Sequence, residues 1–200
     1  MNARQETRIF GGVLLEQRRV MQELAGDEIY ARVMSELPED VRAEYERLSI
    51  LSWCRHSTAT EVTQRIGRAL GKRPEVWQAE VVRTGIERTL TGLWKVLLRF
   101  SSDDALVKRS ALLYSKACDR GKLTPEQIAP GHVKLTLSEW PDIPELDLVA
   151  LATGIESVLR VVGRKTVVVS WVREPPVVTF TVKATADTVP PPTTMAPGSA

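Results

Sequence analysis

The sequence predicts an α+β fold in which N-terminal helices pack on a small four-stranded, mainly antiparallel sheet. Three observations predict it. Between Leu106 and Lys183 the chain twice passes from an amphipathic stretch of helical spacing into two short runs of alternating or β-branched residues. Residues 9–100 instead carry apolar side chains three and four apart almost throughout. A hydrophobic content of 43% over 200 residues is enough to bury a core.

Taken in order, Phe10, Val13, Leu14, Val20, Met21 and Leu24 predict a helix over 9–25, weakened at its start by Gly11 and Gly12 and ended by Gly26. Asp27 can cap a short second helix carrying Ile29, Tyr30, Val33 and Met34, and Pro38 opens a third through Val41 and Tyr45. Leu48 to Arg55 has no deciding periodicity and reads equally as an extended segment or a helix end. Thr58-Ala59-Thr60-Glu61 fits a capping box at the head of a helix that stops at Gly71. Pro74 begins the longest helical text, with Val76, Trp77, Val81, Gly85, Ile86, Leu90, Leu93, Trp94 and Leu97 in phase to about Phe100. At 1.5 Å per residue that helix would measure about 39 Å, and Gly85 and Gly92 near one face would mark a close approach.

In the second half, Ser102, Asp103 and Asp104 can cap a helix with the stripe Leu106, Ser110, Leu113, Tyr114, Ala117 and Cys118, ended by Gly121. Leu123 to Ala129 reads as a weak strand, Pro130-Gly131 as a turn, and His132 to Ser138 as a half-buried strand with Val133, Leu135 and Leu137 on one face. Two prolines in Trp140 to Pro144 break the chain. A helix starting near Asp147 then carries Leu148, Leu151, Ala152, Ile155, Val158, Leu159 and Val162 up to Gly163. Thr166 to Val172 and Val177 to Lys183 form a hairpin around Arg173-Glu174-Pro175-Pro176. From Ala184 the text is Thr, Pro and Ala, which cannot bury a core. The expected organisation is a flexible segment 1–8, one α+β domain over 9–183 (helical over 9–100, helix–hairpin–helix–hairpin over 101–183), and a disordered tail over 184–200.

A net charge of +2 argues against a strongly basic nucleic-acid binder. Met1 to Thr7 has no signal-peptide character and no apolar run approaches ~18 residues, so the expectation is a cytoplasmic protein without a membrane segment. Cys54 and Cys118 read as buried free thiols rather than a disulfide. Cys54 and His56 form the one close pair of metal-capable or nucleophilic side chains. Zinc needs three or four ligands and a Cys-His nucleophile needs an orienting third group, and the local sequence supplies neither. His132 reads as a solvated turn residue, while Glu145, Asp147, Asp103 and Asp104 are explained by capping. Phe10-Gly11-Gly12 lacks the lysine and hydroxyl of a phosphate loop. The sequence therefore points to no catalytic residue, no cofactor and no metal. Thr60 to Leu90, with Arg65, Arg68, Lys72, Arg73, Arg83 and Arg88, has a helix-turn-helix outline, but its second helix is long and apolar for a DNA reader.

Several features resemble an uncharacterised paralogous family of myxobacterial proteins: Gly12 and its helix, Leu37 to Arg42, Ile66-Gly67-Arg68, the Trp77 to Leu97 helix, and Gly154-Ile155-Glu156 before a valine-rich strand. The Leu113 to Lys183 half is also similar to the ligand-binding group that includes haem-nitric-oxide-binding and 4-vinyl-reductase domains. That resemblance implies a helical layer over a small antiparallel sheet with a pocket between them. The sequence departs from the group in having no histidine on a long apolar helix, in Tyr114-Ser115-Lys116 where a Tyr-x-Ser-x-Arg pattern would stand, and in having no cysteines in the last hairpin. The resulting expectation is a non-enzymatic sensory or interaction module. It would hold an apolar small molecule between the long helix and the sheet, with Trp77, Gly85, Trp94, Tyr114, Trp140 and Trp171 as pocket residues, or bind a protein partner. Two other readings stay open: a homodimeric scaffold using exposed apolar helix or strand edges, and a DNA-binding regulator using the Arg65 to Arg88 helices.

Overall fold

The computed structural model describes residues 6–90 and 103–185, with side chains except at 103–108 and 110. Gly92, Trp94, the expected run of the long helix to Phe100 and the tail from 186 lie outside the described residues. The first half consists of β1 (Arg8–Phe10), α1 (Gly11–Ala25), α2 (Asp27–Ser35), α3 (Glu39–Glu46), β2 (Trp53–Arg55), α4 (His56–Ala69) and α5 (Pro74–Thr89). The second half is α6 (Asp103–Ala117), β3 (Lys122–Ala129), β4 (His132–Ser138), α7 (Glu145–Val161), β5 (Thr166–Glu174) and β6 (Val177–Thr185). The fold is α+β as expected. Its sheet is four-stranded and antiparallel in the order β3-β4-β6-β5, beside a two-stranded ribbon of β1 and β2.

Alternation sets the sheet register. Val133, Leu135 and Leu137 of β4 stand opposite Val182, Phe180 and Val178 of β6, so all six point to one face. α7 covers that face with Leu148 and Ala152, and Tyr114, Cys118, Trp140 and Ile143 close its edge. A second core lies wholly among the helices, where Val20, Met21, Val33, Tyr45, Val62, Ile66, Trp77 and Val81 are buried together.

Several expectations shift, each for a tertiary reason. Phe10 belongs to a strand rather than to the first helix, because residues 8–10 pair antiparallel with residues 53–55. That pairing also decides the ambiguous 48–55 segment in favour of a turn followed by a strand, and it brings Arg8 out of the segment expected to be flexible, with Thr7 buried beside it. Gly11 does not merely weaken a helix start: a Cβ there would overlap the Ser49 carbonyl oxygen and the Ser52 hydroxyl, so the turn packs on bare backbone. α4 begins at His56, and its N-cap has no side-chain hydrogen bond. The Thr58 hydroxyl donates to the Glu44 carboxylate instead of capping. α7 begins at Glu145 after Pro144, two residues before Asp147. On α6, Leu113 is 65% exposed although its spacing put it in the apolar stripe. The last hairpin extends each strand by two residues, to Glu174 and Thr185.

Candidate functional site

The two cores meet along a seam that is polar on one side. β1 is its stitch. On one edge Ile9 pairs with Cys54, and on the other it bridges to Cys118. The Asp119 carboxylate accepts from Arg8 N–H at 2.7 Å, Asp119 N–H donates to the Arg8 carbonyl at 3.1 Å, and His56 N–H donates to the Thr7 carbonyl at 2.8 Å. A short central strand thus ties the start of α4 to the end of α6.

Beside it, side chains from both halves converge. Nε2 of His56, in the first turn of α4, donates to Oδ1 of Asp147, in the first turn of α7, at 2.9 Å. Oδ2 lies equally near the nitrogen but has no partner of hydrogen-bonding geometry. Thr60 Oγ1 stands 3.4 Å from the same nitrogen. The His56 ring meets Trp140 edge to face with centroids 5.8 Å apart. Arg120 lies over the Trp140 ring at 5.8 Å and reaches Asp142 at 2.8 Å. His56, Arg120, Trp140 and Asp142, with Glu6, Thr7, Ser57 and Pro144, line an open cleft of about 320 Å³. Its size is at the lower end of small-molecule sites. Ser57 in the wall donates its hydroxyl to Glu6.

Of the aromatic residues singled out from the sequence, Tyr114, Trp140 and Trp171 share the sheet core, and Trp140 alone also lines the cleft. The Tyr114 hydroxyl donates to the Arg120 carbonyl at 2.8 Å, and burial, then Cys118, pushes its phenol upward. Trp77 sits in the other core, its indole N–H donating to the Thr63 carbonyl at 2.8 Å. Gly85 lies toward Val20, where a Cβ would only just reach contact, so it marks no tight approach there. The six residues therefore do not converge on one cavity among the described residues, and Trp94 lies outside them. Asp147, read as a capping residue, is instead the acidic partner of His56 across 91 residues of chain. The one signal that could have found it was its helix-start position shared with another acid, Glu145, only one of which a helix needs.

The other chemical candidates are also placed. Cys54 is fully buried and its thiol is pushed up to about 12, by burial first and then by Glu44. No hydrogen bond joins it to His56, which turns toward Asp147. Cys118 is a buried free thiol, likewise raised by burial. His132 opens β4, opposite Ala129 and Lys183. In the basic helices, Arg65 pairs with Glu61, Lys72 with Glu80 and Arg88 with Glu23, while α5 is held in the core by Trp77 and Val81. Among the described residues no group of three or more His, Cys, Asp or Glu side chains converges, and no helix is long and apolar enough to cross a membrane.

The architecture is a known one. It is the fold of the H-NOX domains. An Fe(II) unliganded H-NOX protein from K. algicida superimposes with a TM-score of 0.64 at 9% identity, over 90% of this chain and 98% of that one. A variant of the T. Tengcongensis H-NOX gives 0.60 at 13% identity, over 88% and 97%. An oxygen-binding H-NOX domain related to soluble guanylate cyclases gives 0.60 at 11% identity, over 88% and 94%. The likeness takes in the helical half as well as the Leu113 to Lys183 region. No family model matches the chain, and no curated protein matches it.

Haem, named in the descriptions of two further structures of this fold, one of them from the H-NOX family, is the group this fold implies, and the described residues do not fit it. Haem iron is held by His, Cys, Met or Tyr. Residues 91–110 contain none of the four. His56 is engaged by Asp147 and Trp140, and His132 starts a strand. Burial keeps the Cys54 and Cys118 thiols and the Tyr45 and Tyr114 phenols protonated, the form that does not ligate as an anion. Met21 and Met34 pack in the helical core beside Tyr30. α5 and α7 also close directly on one another, near enough that a Cβ at Gly154 would reach van der Waals contact with Val82.

Proposed function

We propose that this chain is a non-enzymatic, cytoplasmic sensory or interaction module that uses the H-NOX fold without haem, as a member of the myxobacterial family it resembles. Its signal is a small molecule with an apolar body, taken at the seam against Trp140, where both halves of the fold supply side chains. The observation that carries this reading is the redeployment of the histidine. His56 is spent on a bond to Asp147 that joins the two halves, and among the described residues no other His, Cys, Met or Tyr side chain stands ready for iron. A ligand in the adjoining cleft would touch Thr7 and His56 of the first half and Arg120, Trp140 and Asp142 of the second. Its occupancy would therefore register in how the halves sit. The absence of catalysis is supported by the Cys54 thiol, which at about 12 stays protonated at neutral pH.

The test is to purify the full chain from cells supplied with a haem precursor, record its visible absorbance, and compare native with denaturing mass spectra. The expected result is no haem band together with a small mass present in the native spectrum and lost on denaturation. Trp140→Phe, which keeps the buried ring but changes the cleft wall, should weaken retention of that mass while the far-ultraviolet circular dichroism stays that of the wild-type chain. A haem band that persists through purification would overturn the haem-free reading, and a native spectrum of bare chain would overturn the bound-ligand one.

A further inference from the structure

The four-stranded sheet has two edges, and they are built in opposite ways. An edge strand presents unpaired backbone N–H and C=O groups to any other strand, and proteins ordinarily blunt it with proline, charge or a bulge. β3 carries all three: Pro125 in mid-strand, a register shift between Gln127 and Ala129, and Lys122 and Glu126 on its length. β5, at the opposite edge, carries none in its interior. Its nine residues pair with β6 without a break from Thr166 to Glu174, hold no proline, and keep their charges, Arg173 and Glu174, at the end. Among the described residues no strand pairs with its outer side. On the sheet face away from α7 it exposes Val168 at 55% and Val172 at 58%.

The order of side chains along this bare edge is symmetric about Ser170. Val168 and Val172 stand two residues to either side on the exposed face, and Val169 and Trp171 stand one residue to either side on the core face, where both are only partly buried. We infer that β5 is a homodimerisation edge, on which β5 of a second copy adds antiparallel with Ser170 on the two-fold axis, joining two four-stranded sheets into one. In that register Val168 of each copy meets Val172 of the other, twice over. Val169 meets Trp171 and continues the half-covered core face across the axis. Glu174 meets Thr166 of the second copy at each end. A strand with a different sequence would lose the valine pairs, so a second copy fits better than an arbitrary partner. This inference does not rest on the ligand reading: a haem-free sensor with no ligand would keep the same edge.

Light scattering and sedimentation of the full chain test it. The expected mass is about twice 22.3 kDa, falling to the single-chain value in Val168→Lys/Val172→Lys, which sets like charges directly opposite. The register is read separately by cysteine pairing in chains that retain the wild-type valines. Ser170→Cys places two thiols at directly opposed positions, with Cα atoms about 4.5–5.5 Å apart, within disulfide reach. Val172→Cys places them about 13 Å apart, beyond it. Cys54 and Cys118 are buried and give little background. Rapid oxidation to a covalent dimer in Ser170→Cys and not in Val172→Cys supports the proposal, even if the lysine variant fails to fold. A wild-type chain that is monomeric at all concentrations, or a dimer that cross-links equally through both positions or through neither, overturns it.

Discussion

The helical core and the sheet core are specified differently. The helical core is organised by anchored aromatics. Trp77 is buried with its indole N–H fixed to Thr63, and its ring lies so close to α4 that only glycine fits at position 67. Tyr45 is buried under the Arg18 guanidinium at 4.7 Å. The sheet core is organised by register: on its ladder aliphatic side chains and Phe180 stand in opposed pairs with no directional side-chain bond among them, and the Tyr114 hydroxyl bond to the Arg120 carbonyl lies off that ladder. Directional anchoring makes a core intolerant of shape change, whereas a ladder keeps its pairing while side chains repack.

The largest predicted effect follows from that contrast. Trp77→Ala should cost about 3–5 kcal/mol, the usual range for emptying a buried aromatic site. Phe180→Leu should cost under about 1.5 kcal/mol, because the register holds and the neighbours can close on a similar volume. Urea unfolding followed by far-ultraviolet circular dichroism measures both. Equal losses would mean that the sheet core is as tightly specified as the helical one.

The same contrast explains what the sequence made legible. The bounds of β4 and the starts of β5 and β6 were readable because period-two alternation between turn signals is a local property, and so was the end of α4 just before Gly71, whose positive φ of 67° favours glycine, whereas α6 stops at Ala117, four residues short of the expected Gly121, because Cys118 is drawn into a bridge with Ile9. Thr58 to Glu61 fitted a capping box, yet tertiary structure offered Thr58 a better acceptor in Glu44. Phe10 kept helical spacing but was drawn into a strand by residues 43 positions away. The seam was the least legible part. His56 and Asp147 are 91 residues apart, each has an adequate local explanation, and nothing in spacing or composition joins them.

That seam yields the second prediction. Side-chain exposures of 16% for His56 and 23% for Asp147 leave the pair largely sheltered from solvent. Removing the imidazole by His56→Ala strips the Asp147 carboxylate of its one donor, a loss of about 1–3 kcal/mol. If the bond couples the two cores, a double-mutant cycle with Asp147→Ala should return an interaction energy of about 0.5–3 kcal/mol. The transitions seen through the Trp77 and Trp171 environments should also separate in the single variants. An interaction energy near zero would reduce the pair to a local contact and leave β1 and the packing of α5 on α7 to join the halves.

The smallest predicted effect lies within the helical half and depends on pH. Burial by itself raises the Glu44 carboxyl, but the Arg55 backbone N–H, the Thr58 hydroxyl and the Arg55 guanidinium bond its charged form and hold it below the ordinary carboxylate value. In the unfolded chain that carboxyl titrates near about 4.3. A group depressed in the folded state binds fewer protons there, so its stabilisation is complete above the unfolded value and fades as pH falls through the folded one. Glu44→Gln should therefore be less stable than the wild-type chain at neutral pH, by a modest amount because the carboxylate is partly solvated, and the gap should close as the solution is acidified below about pH 4. Thermal unfolding of both chains across that range reads the difference directly. A gap that stays constant with pH would assign the loss to packing of the α3–α4 contact rather than to its charge, and would leave the helical core anchored by Trp77 and Tyr45 alone.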